Sequence, residues 1–327
     1  MTTGFVFYSI AFFLAIFITA TALYRLIPAL SKYARQPIYE EGPAWHMSKS
    51  GTPTMGGIAF LLAAVITLVP ASLLLLKNDA TVAALSLLVN LTYALANGLT
   101  GLIDDMTKLR HHENKGLSPT EKLIIQFLLA GLYLFARSRI FGDSSVVYFS
   151  SGEVDLGFWY YPLSLLILVG MTNCANLTDG IDGLSSSVAF AIGISMFYMS
   201  AALSEEAAFI SVVTVGICVG FLFFNLHPAK IFMGDTGSLF LGSLICTAAF
   251  SLRNPFIMFF VGGVYVIEGA SVILQVTYYK LTHRRIFKMA PIHHHLEKCG
   301  MSENRICLTA IFLTLIFSVP AYFICAV

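Results

Sequence analysis

Long apolar segments constrain this chain more than any other feature of its sequence. A membrane-spanning helix needs about 20 mostly apolar residues, and we predict ten such segments in the 327 residues. They cover approximately residues 5–27, 55–76, 81–103, 122–141, 159–176, 184–203, 207–225, 237–252, 255–279 and 304–326. The fifth and the eighth are short and have polar residues close by.

The composition agrees with a membrane environment. Hydrophobic residues make up 57% of the chain and charged residues 11%, whereas about 25% of the residues in a soluble domain are charged. A water-soluble fold could not bury this much apolar surface. The sequence therefore predicts an all-α polytopic membrane protein, with residues 1–327 forming a single integral-membrane domain. The first segment lacks the basic start and the cleavage site of a signal peptide, so we interpret it as a transmembrane helix.

Two minor features qualify this picture. Residues 146–156 alternate in polarity and contain a Ser-Gly pair, which predicts a small hairpin outside the bilayer. The six cysteines lie in or near the apolar segments, without the spacing of a metal site or of a disulfide framework. We interpret them as small apolar packing residues.

The basic residues predict the orientation of the chain in the membrane. With ten spans, only Lys77, Arg137, Arg139 and Arg253 of the 19 lysines and arginines lie on one side. Basic residues concentrate in cytoplasmic loops, so the other side is predicted to be cytoplasmic and both termini to face outward. The polar, motif-bearing loops all fall on that cytoplasmic side, at residues 40–57, 104–121, 173–183, 225–238 and 280–303. An active-site cleft is therefore expected to face the cytoplasm.

Two adjacent carboxylates, Asp104 and Asp105, stand where the third predicted span meets the cytoplasm. Lys108 follows Asp104 by four residues, so these two side chains share one face of a helix. Carboxylates at a membrane boundary are costly, which favours a functional role. The alternative is a solvated helix end with an ion pair.

A second cluster follows the fifth span. Residues 173–184 read Asn-Cys-Ala-Asn-Leu-Thr-Asp-Gly-Ile-Asp-Gly-Leu and contain Asn173, Asn176, Asp179 and Asp182. Amide and carboxylate groups of this kind can coordinate a hard cation or hydrogen-bond a base and a ribose. They also occur in helix-capping turns, although this run has more polar groups than a cap needs.

A third cluster precedes the eighth span. Residues 225–238 read Asn-Leu-His-Pro-Ala-Lys-Ile-Phe-Met-Gly-Asp-Thr-Gly-Ser, with Asp235 between two glycines just before a new helix. The free N–H groups of a helix start favour an anionic phosphate, and Asp235 would add a carboxylate for Mg²⁺. An N-cap in a glycine-rich turn is the alternative.

Three consecutive histidines, His293 to His295, occur in the sequence Pro-Ile-His-His-His-Leu-Glu after a basic run. Successive side chains diverge in direction, so one zinc ion is not expected to bind all three. Histidines that donate to phosphate oxygens fit better beside an anionic substrate. Structural packing is the alternative.

Two other features stay open between function and structure. Residues 49–57, Lys-Ser-Gly-Thr-Pro-Thr-Met-Gly-Gly, either cradle a nucleotide or fix the entry to the second span. Glu268 lies within the ninth span, where a carboxylate is either functional or engaged in a structural hydrogen bond.

Five motifs in this order resemble those of a known family: Gly-Thr-Pro-Thr-Met-Gly-Gly, the aspartate doublet, Asn-Leu-Thr-Asp-Gly-Ile-Asp-Gly-Leu, Phe-Met-Gly-Asp-Thr-Gly-Ser and Pro-Ile-His-His-His. Over essentially its whole length the chain resembles the polyprenyl-phosphate N-acetylhexosamine-1-phosphate transferases. The glycine-rich loop and the histidine triplet are most similar to the branch that transfers phospho-N-acetylmuramoyl-pentapeptide. The N-acetylglucosamine-phosphate branch usually has a differently spaced histidine motif.

The resemblance implies ten transmembrane helices, a cytoplasmic-facing cleft and a homodimer in the bacterial cytoplasmic membrane. It implies the transfer of phospho-MurNAc-pentapeptide from UDP-MurNAc-pentapeptide to undecaprenyl phosphate, with Mg²⁺, giving lipid I and UMP. The lipid acceptor would arrive from the bilayer and the nucleotide from the cytosol. No nucleic-acid partner is expected.

The resemblance also implies roles for individual residues. Asp104, Asp105 and Asp235 would be the essential acidic residues, with Asp235 as a Mg²⁺ ligand. As a separate hypothesis about the mechanism, Lys108 and the histidines, among them His293, would neutralise charge during the reaction, and Asp104 would either act as a base or position the lipid phosphate near the metal. The expected substrate-binding residues are Lys49, Asn173, Asn176, Asp179, Asp182, Asn225, Phe232 (stacking on the base), His294 and His295.

Three other functions are weighed against this one. A transporter would place ionisable residues near the bilayer midplane, often in two related halves, whereas here they gather at one interface without a visible repeat. A metal-dependent membrane hydrolase would release UMP without a lipid acceptor. A UDP-GlcNAc transferase of the same superfamily would differ only in its donor.

Overall fold

The computed structural model describes residues 2–33, 51–111, 116–142 and 145–325. Over these residues the chain folds into α-helices and one two-stranded hairpin. In chain order the helices are α1 (Thr2–Tyr33), α2 (Gly57–Lys77), α3 (Thr81–His111), α4 (Pro119–Phe141), α5 (Tyr160–Thr178), α6 (Leu184–Ser200), α7 (Glu205–Asn225), α8 (Gly234–Ser251), α9 (Met258–Val261), α10 (Gly263–Thr282), α11 (Ile292–Lys298) and α12 (Glu303–Cys325). Short 3-10 helices at Gly157–Trp159 and Pro255–Ile257 precede α5 and α9.

Each of the ten predicted apolar segments has a helical counterpart. Within the described ranges, seven helices are long and apolar enough to cross a membrane, or eight if the segments around α9 and α10 form one broken span. α6 is apolar but shorter, at 17 residues. The prediction of an all-α polytopic membrane protein is confirmed, and the number of ten spans stays a prediction.

The ninth predicted segment differs from the straight helix that its apolar run suggested. Pro255–Val261 and Gly263–Thr282 meet at a bend of 81°. Gly262 lies at this bend, where an added Cβ atom would overlap the side chain of Met171 in α5. The absence of a side chain therefore lets the chain approach α5 closely where it changes direction, and α10 continues alongside α5.

Helix α8 is the buried centre of the bundle. All residues from 236 to 251 are buried, as expected of a helix that is surrounded by others, and α2, α3, α5 and α7 pack around it. A Cβ atom at Gly57 would overlap the backbone of Gly237, and one at Gly101 would overlap the backbone of Asp235. α2 and α3 therefore meet the start of α8 backbone to backbone, which small residues allow in membrane proteins.

A buried basic residue holds the opposite end of α8. Arg137 of α4 is 4% exposed and donates a hydrogen bond to the carbonyl of Phe250 at 3.2 Å. Asn90 of α3 accepts from Arg137 at 3.4 Å and from Tyr133 at 2.8 Å. Its amide also donates to the hydroxyl of Ser251 at 2.8 Å. A positive charge is favourable at the C-terminal end of a helix, so Arg137 fixes α8 at the end away from Asp235.

The hairpin predicted over residues 146–156 is confirmed. Its strands, β1 (Val146–Phe149) and β2 (Gly152–Asp155), pair antiparallel from Val146 with Asp155 to Phe149 with Gly152. The backbone N–H of Ser150 donates to the carbonyl of Ile324 at 2.7 Å, which docks the turn onto the end of α12.

The outer surface of the bundle carries large apolar side chains. Phe13 and Phe17 of α1, Phe135 of α4, and Phe312 and Phe323 of α12 are 61–67% exposed. Such a surface is unfavourable in water and suited to lipid. The chain is therefore a multi-pass membrane protein.

Candidate active site

Three carboxylates from two helices meet at one end of the bundle. Asp104 and Asp105 lie in α3, which continues to His111, beyond the predicted end of the span at residue 103. Asp235 lies in the first turn of α8. Side-chain oxygens of these three residues lie within 4.8 Å of one another. The structure thus brings together the acidic groups of two motifs that are about 130 residues apart.

Asp105 fixes the start of α8. Its Oδ1 accepts a hydrogen bond from the backbone N–H of Asp235 at 3.1 Å, and its Oδ2 accepts from the backbone N–H of Thr236 at 3.0 Å. The hydroxyl of Thr236 donates to the same Oδ2 at 2.6 Å. The first N–H groups of a helix have no partner within the helix. Asp105 of α3 therefore caps the N-terminus of α8, and this contact holds Asp235 in place.

We expect Thr236→Val to lower the stability of the protein by about 1.5–3 kcal/mol, because the substitution removes a hydrogen bond to a carboxylate and leaves the shape nearly unchanged. The measurement is thermal unfolding in detergent. Thr247→Val on the same buried helix is the matched control, since its hydroxyl donates to the carbonyl of Leu244, one turn earlier in that helix. Equal falls in melting temperature for the two variants would contradict the capping role.

Two lysines connect Asp104 with Asp235. Lys108 Nζ lies 2.6 Å from Asp104 Oδ2 and 3.4 Å from Asp235 Oδ2. Lys122 Nζ lies 2.9 Å and 2.5 Å from the same two oxygens. The other oxygen of Asp104, Oδ1, accepts from the backbone N–H of Leu117 at 2.7 Å. Asp104 is completely buried, and its charge is balanced by the two ammonium groups.

Lys122 was not among the predicted site residues. It lies in the first turn of α4, which a capping box begins: Ser118 accepts from the backbone N–H of Glu121, and Glu121 accepts from that of Ser118. The Ser-Pro-Thr-Glu sequence of this box could have located the helix start and the lysine beside it. It could not have shown that Lys122 reaches a carboxylate 113 residues further along the chain.

Asn176, near the end of α5, joins the same centre. Its amide donates to Asp235 Oδ1 at 3.0 Å and to the hydroxyl of Ser238 at 2.8 Å. Asn173, one turn earlier, is directed elsewhere and donates to Gln126 of α4 at 2.6 Å and to the carbonyl of Val169 at 2.8 Å. Of these two predicted residues, Asn176 therefore belongs to the acidic centre, and Asn173 connects α5 with α4.

Asp182 forms a separate cluster with His227 and Glu303. Its Oδ2 lies 2.9 Å from Nδ1 of His227 and accepts from the backbone N–H of Ala229 at 3.0 Å. The backbone N–H of Asp182 donates to Glu303 of α12 at 2.7 Å. These contacts tie the turn before α6 to the loop after α7 and to the last helix.

Asn225 joins the same two segments from its buried position at the end of α7. Its Oδ1 accepts from the backbone N–H of Gly183 at 3.0 Å, and its Nδ2 donates to the carbonyl of Ile231 at 2.8 Å. Phe232 pairs through its backbone with the glycine-rich loop, donating to Pro53 at 2.8 Å and accepting from Gly56 at 2.9 Å. Lys49 lies outside the described residues.

Asp179 caps the C-terminus of α5, and its backbone N–H donates to the carbonyl of Asn176 at 3.2 Å. It follows Asn176, which contacts Asp235, by three residues.

The three histidines have three different partners. His293 Nδ1 lies 3.0 Å from Glu268 of α10, and His294 Nδ1 lies 2.6 Å from Glu297. His295 Nδ1 accepts from the backbone N–H of Lys288 at 3.1 Å. The rings therefore serve separate contacts.

The donor set at the acidic centre suits a divalent cation. Mg²⁺ is bound in proteins by one or two carboxylates together with waters and phosphate oxygens. Oxygens of Asp104, Asp105 and Asp235 lie within 4.8 Å of one another. The ammonium groups of Lys108 and Lys122 lie between Asp104 Oδ2 and Asp235 Oδ2, so a cation bound there would take their place beside these carboxylates. Asp104 and Asp235, with Asp105 behind them, therefore fit a magnesium ion by their chemistry.

Comparison with known proteins agrees with this geometry. Residues 87–253 match the family model described as Glycosyl transferase family 4, and residues 49–61 match signature 1 of phospho-N-acetylmuramoyl-pentapeptide-transferase. The protein of that name from Clostridium perfringens (strain SM101 / Type A) is 38% identical over 300 residues, covering 91% of this chain and 90% of the relative. Those from Clostridium botulinum (strain Alaska E43 / Type E3) and Caldicellulosiruptor bescii are 39% identical, with 90% of each chain covered. The chain therefore belongs to the phospho-N-acetylmuramoyl-pentapeptide-transferase family within glycosyl transferase family 4.

Proposed function

We propose that this chain transfers phospho-MurNAc-pentapeptide from UDP-MurNAc-pentapeptide to undecaprenyl phosphate, releasing UMP and forming lipid I for peptidoglycan synthesis. The observation that carries the proposal is the meeting of Asp104, Asp235, Lys108 and Lys122 at one end of an apolar bundle. A water-soluble nucleotide and a lipid phosphate can both reach such a position. The names of the similar proteins support the choice of donor.

In the proposed reaction, a phosphate oxygen of the lipid attacks the β-phosphorus of the donor. The bond from that phosphorus to the oxygen bridging the two phosphates breaks, and UMP leaves with the electron pair. The second pKa of a phosphate monoester is about 6, so most of the acceptor is already a dianion at neutral pH. The task of the protein is therefore to position the two substrates and to neutralise charge.

We assign the proposed Mg²⁺ to Asp235, with Asp104 beside it. A bound Mg²⁺ would supply charge neutralisation on the diphosphate and would orient its oxygens. Asp105 holds the start of α8 in place, so that Asp235 keeps its position. Lys108 and Lys122 supply positive charge for the phosphates of the donor and of the acceptor.

The remaining predicted residues are proposed to hold the donor, either by contact or by fixing the loops that contact it. His293 is proposed to contact a phosphate or the sugar. The others are Lys49, Asn173, Asn176, Asp179, Asp182, Asn225, Phe232, His294 and His295. The contacts of Asp182 and Asn225 with backbone groups favour the second role for these two residues.

We also propose the setting of the reaction. The chain would form one domain of ten spans in the bacterial cytoplasmic membrane, with the active site on the cytoplasmic face and with a second copy as its partner. The distribution of basic residues supports this orientation. Labelling of single introduced cysteines from each side of the membrane would test it.

The proposed reaction is tested with purified protein, Mg²⁺, undecaprenyl phosphate and one donor at a time. We expect UMP release and a lipid-linked product with UDP-MurNAc-pentapeptide, and no release after chelation of Mg²⁺. Release with UDP-GlcNAc only would assign the chain to the other branch of the superfamily. Release without the lipid acceptor would identify a hydrolase.

Asp104→Asn should reduce the rate by up to about a hundredfold, through misplacement of the two lysines. We expect the same reduction at every pH from about 6.5 to 9, since an acceptor phosphate with a pKa of about 6 is mostly a dianion throughout this range. In the structure both Asp104 oxygens are already engaged, Oδ1 by the backbone N–H of Leu117 and Oδ2 by the two lysines. The measurement is a pH–rate profile beside that of the wild type. Recovery of the variant as the pH rises would instead support a role as general base.

A further inference from the structure

Glu268 is a buried carboxylate that the proposed reaction does not yet use. It lies in α10 with 3% exposure, in an otherwise apolar part of the helix. One of its oxygens, Oε2, lies 3.0 Å from His293 Nδ1 and 3.4 Å from the backbone N–H of His293. A carboxylate in the interior of a membrane protein is costly unless it is paired. Both contacts of Glu268 are to a single residue.

The contact determines which way the ring of His293 faces. An ionised carboxylate can only accept a hydrogen bond, so Nδ1 carries a proton and Nε2 is the nitrogen directed away from Glu268. Nε2 is buried and has no hydrogen-bond partner among the residues that the structure describes. Nε2 is therefore the ring nitrogen that is available to a ligand.

The free nitrogen faces the turn between α5 and α6. A Cβ atom added to Gly180 would overlap the ring of His293, with Nε2 as the nearest atom. Gly180 follows Asp179 directly, and under the proposed function this turn holds the nucleotide donor. Position 180 thus lacks a side chain where His293 comes closest to the donor-binding segment.

A second residue of α10 supports the other side of the same turn. Tyr265, three residues before Glu268 and therefore on the same helix face, donates to the carbonyl of Ser185 at 2.9 Å. His293 comes closest to the turn (residues 179–183) at Gly180, and Tyr265 bonds to Ser185, two residues after the turn. One face of α10 therefore reaches the donor-binding turn through Tyr265 and through the Glu268–His293 pair.

We infer that Glu268 is a positioning residue that holds the ring of His293 with Nε2 toward the donor-binding turn, so that His293 hydrogen-bonds the nucleotide-linked donor through Nε2. The inference rests on the proposed function. This role differs from that of a residue that only stabilises the fold around α11. A stabilising ion pair would affect folding, whereas a positioning residue affects the interaction with the donor and only through His293.

The test is a double-mutant cycle. Glu268→Gln keeps a hydrogen-bond acceptor of the same size but removes the charge, and His293→Asn keeps an N–H group at the place of Nδ1 but removes Nε2. We expect Glu268→Gln alone to lower kcat/KM for UDP-MurNAc-pentapeptide by about tenfold, mainly through KM, as when a residue that orients a ligand is changed. The KM for undecaprenyl phosphate should not change. In the His293→Asn background, Glu268→Gln should cause no further loss.

Two outcomes would overturn the inference: losses that multiply in the double variant, or a Glu268→Gln enzyme with the kcat/KM of the wild type. If Glu268→Gln is unfolded at the assay temperature, Glu268→Asp, which keeps the charge but shortens the reach, takes its place in the same cycle. Wild-type turnover of UDP-MurNAc-pentapeptide is measured first in every case. Its absence would refute the proposed function, whereas turnover with a multiplicative cycle would refute only the role of Glu268.

Discussion

Replacing Asp235 with asparagine is expected to lower kcat by about a thousandfold or more. Asparagine has nearly the same shape, but it cannot form ion pairs with Lys108 and Lys122, and it is a weaker ligand for the proposed Mg²⁺. Loss of one group that stabilises developing charge reduces kcat by about 10²–10³. A weakened metal site adds to that loss. The measurement is UMP release at saturating donor and acceptor over a Mg²⁺ titration.

Asp79→Asn is the matched control for this substitution. Asp79 is exposed in the short connection between α2 and α3, with φ of +60°, a backbone conformation that asparagine also adopts readily. The Asp79→Asn variant should retain the kcat of the wild type. If the kcat of Asp235→Asn were within tenfold of the wild-type value at saturating Mg²⁺, Asp235 would be neither the metal ligand nor the residue that organises the charges of the site.

Lys122→Gln is expected to lower kcat/KM by a few hundredfold. The ammonium group of Lys122 lies against Asp104 and Asp235, so its removal leaves two buried or half-buried carboxylates with one lysine between them. A group that neutralises phosphate charge in a site with little water contributes about 10²–10³ to the rate. Lys122→Arg should recover only part of the activity, because the planar guanidinium does not replace a compact ammonium between two carboxylates. Steady-state kinetics with both substrates is the measurement.

Lys77→Gln provides the comparison for a lysine outside the site. Lys77 is exposed in the last turn of α2, at the end of the bundle that is predicted to face outward. Its loss should leave the kinetics unchanged. A similar reduction in both variants would mean that net charge, rather than the place of Lys122, controls the reaction.

Hydropathy alone was sufficient to find the long helices, because the membrane requires long apolar segments whatever their neighbours are. It was less informative at the helix ends and bends. The run from Asp104 to Arg110 is polar, so the predicted span ended at residue 103, although the backbone remains helical to His111. The apolar run gave no sign of the 81° bend at Gly262, where the chain lies close against Met171 of α5. The sequence does not contain that information locally.

The site could be predicted as a set of motifs but not as a set of contacts. The order of the motifs and their common side of the membrane were enough to expect Asp104 and Asp235 near each other. The partners of Asp105, Asp182 and His293 could not be inferred. Each of these contacts joins segments between 25 and 131 residues apart, and its existence depends on how the helices pack.

The backbone contacts of Gly57 and Gly101 with the start of α8 limit the protein in a way that its chemistry does not reveal. Neither glycine carries a reactive group, yet one methyl group at either position would push against the peptide units that carry Asp235. A shift of about 1 Å in a catalytic group can reduce a rate about a hundredfold. Alanine at either position would therefore resemble the loss of a catalytic group in an activity screen, although nothing that touches a substrate had been removed.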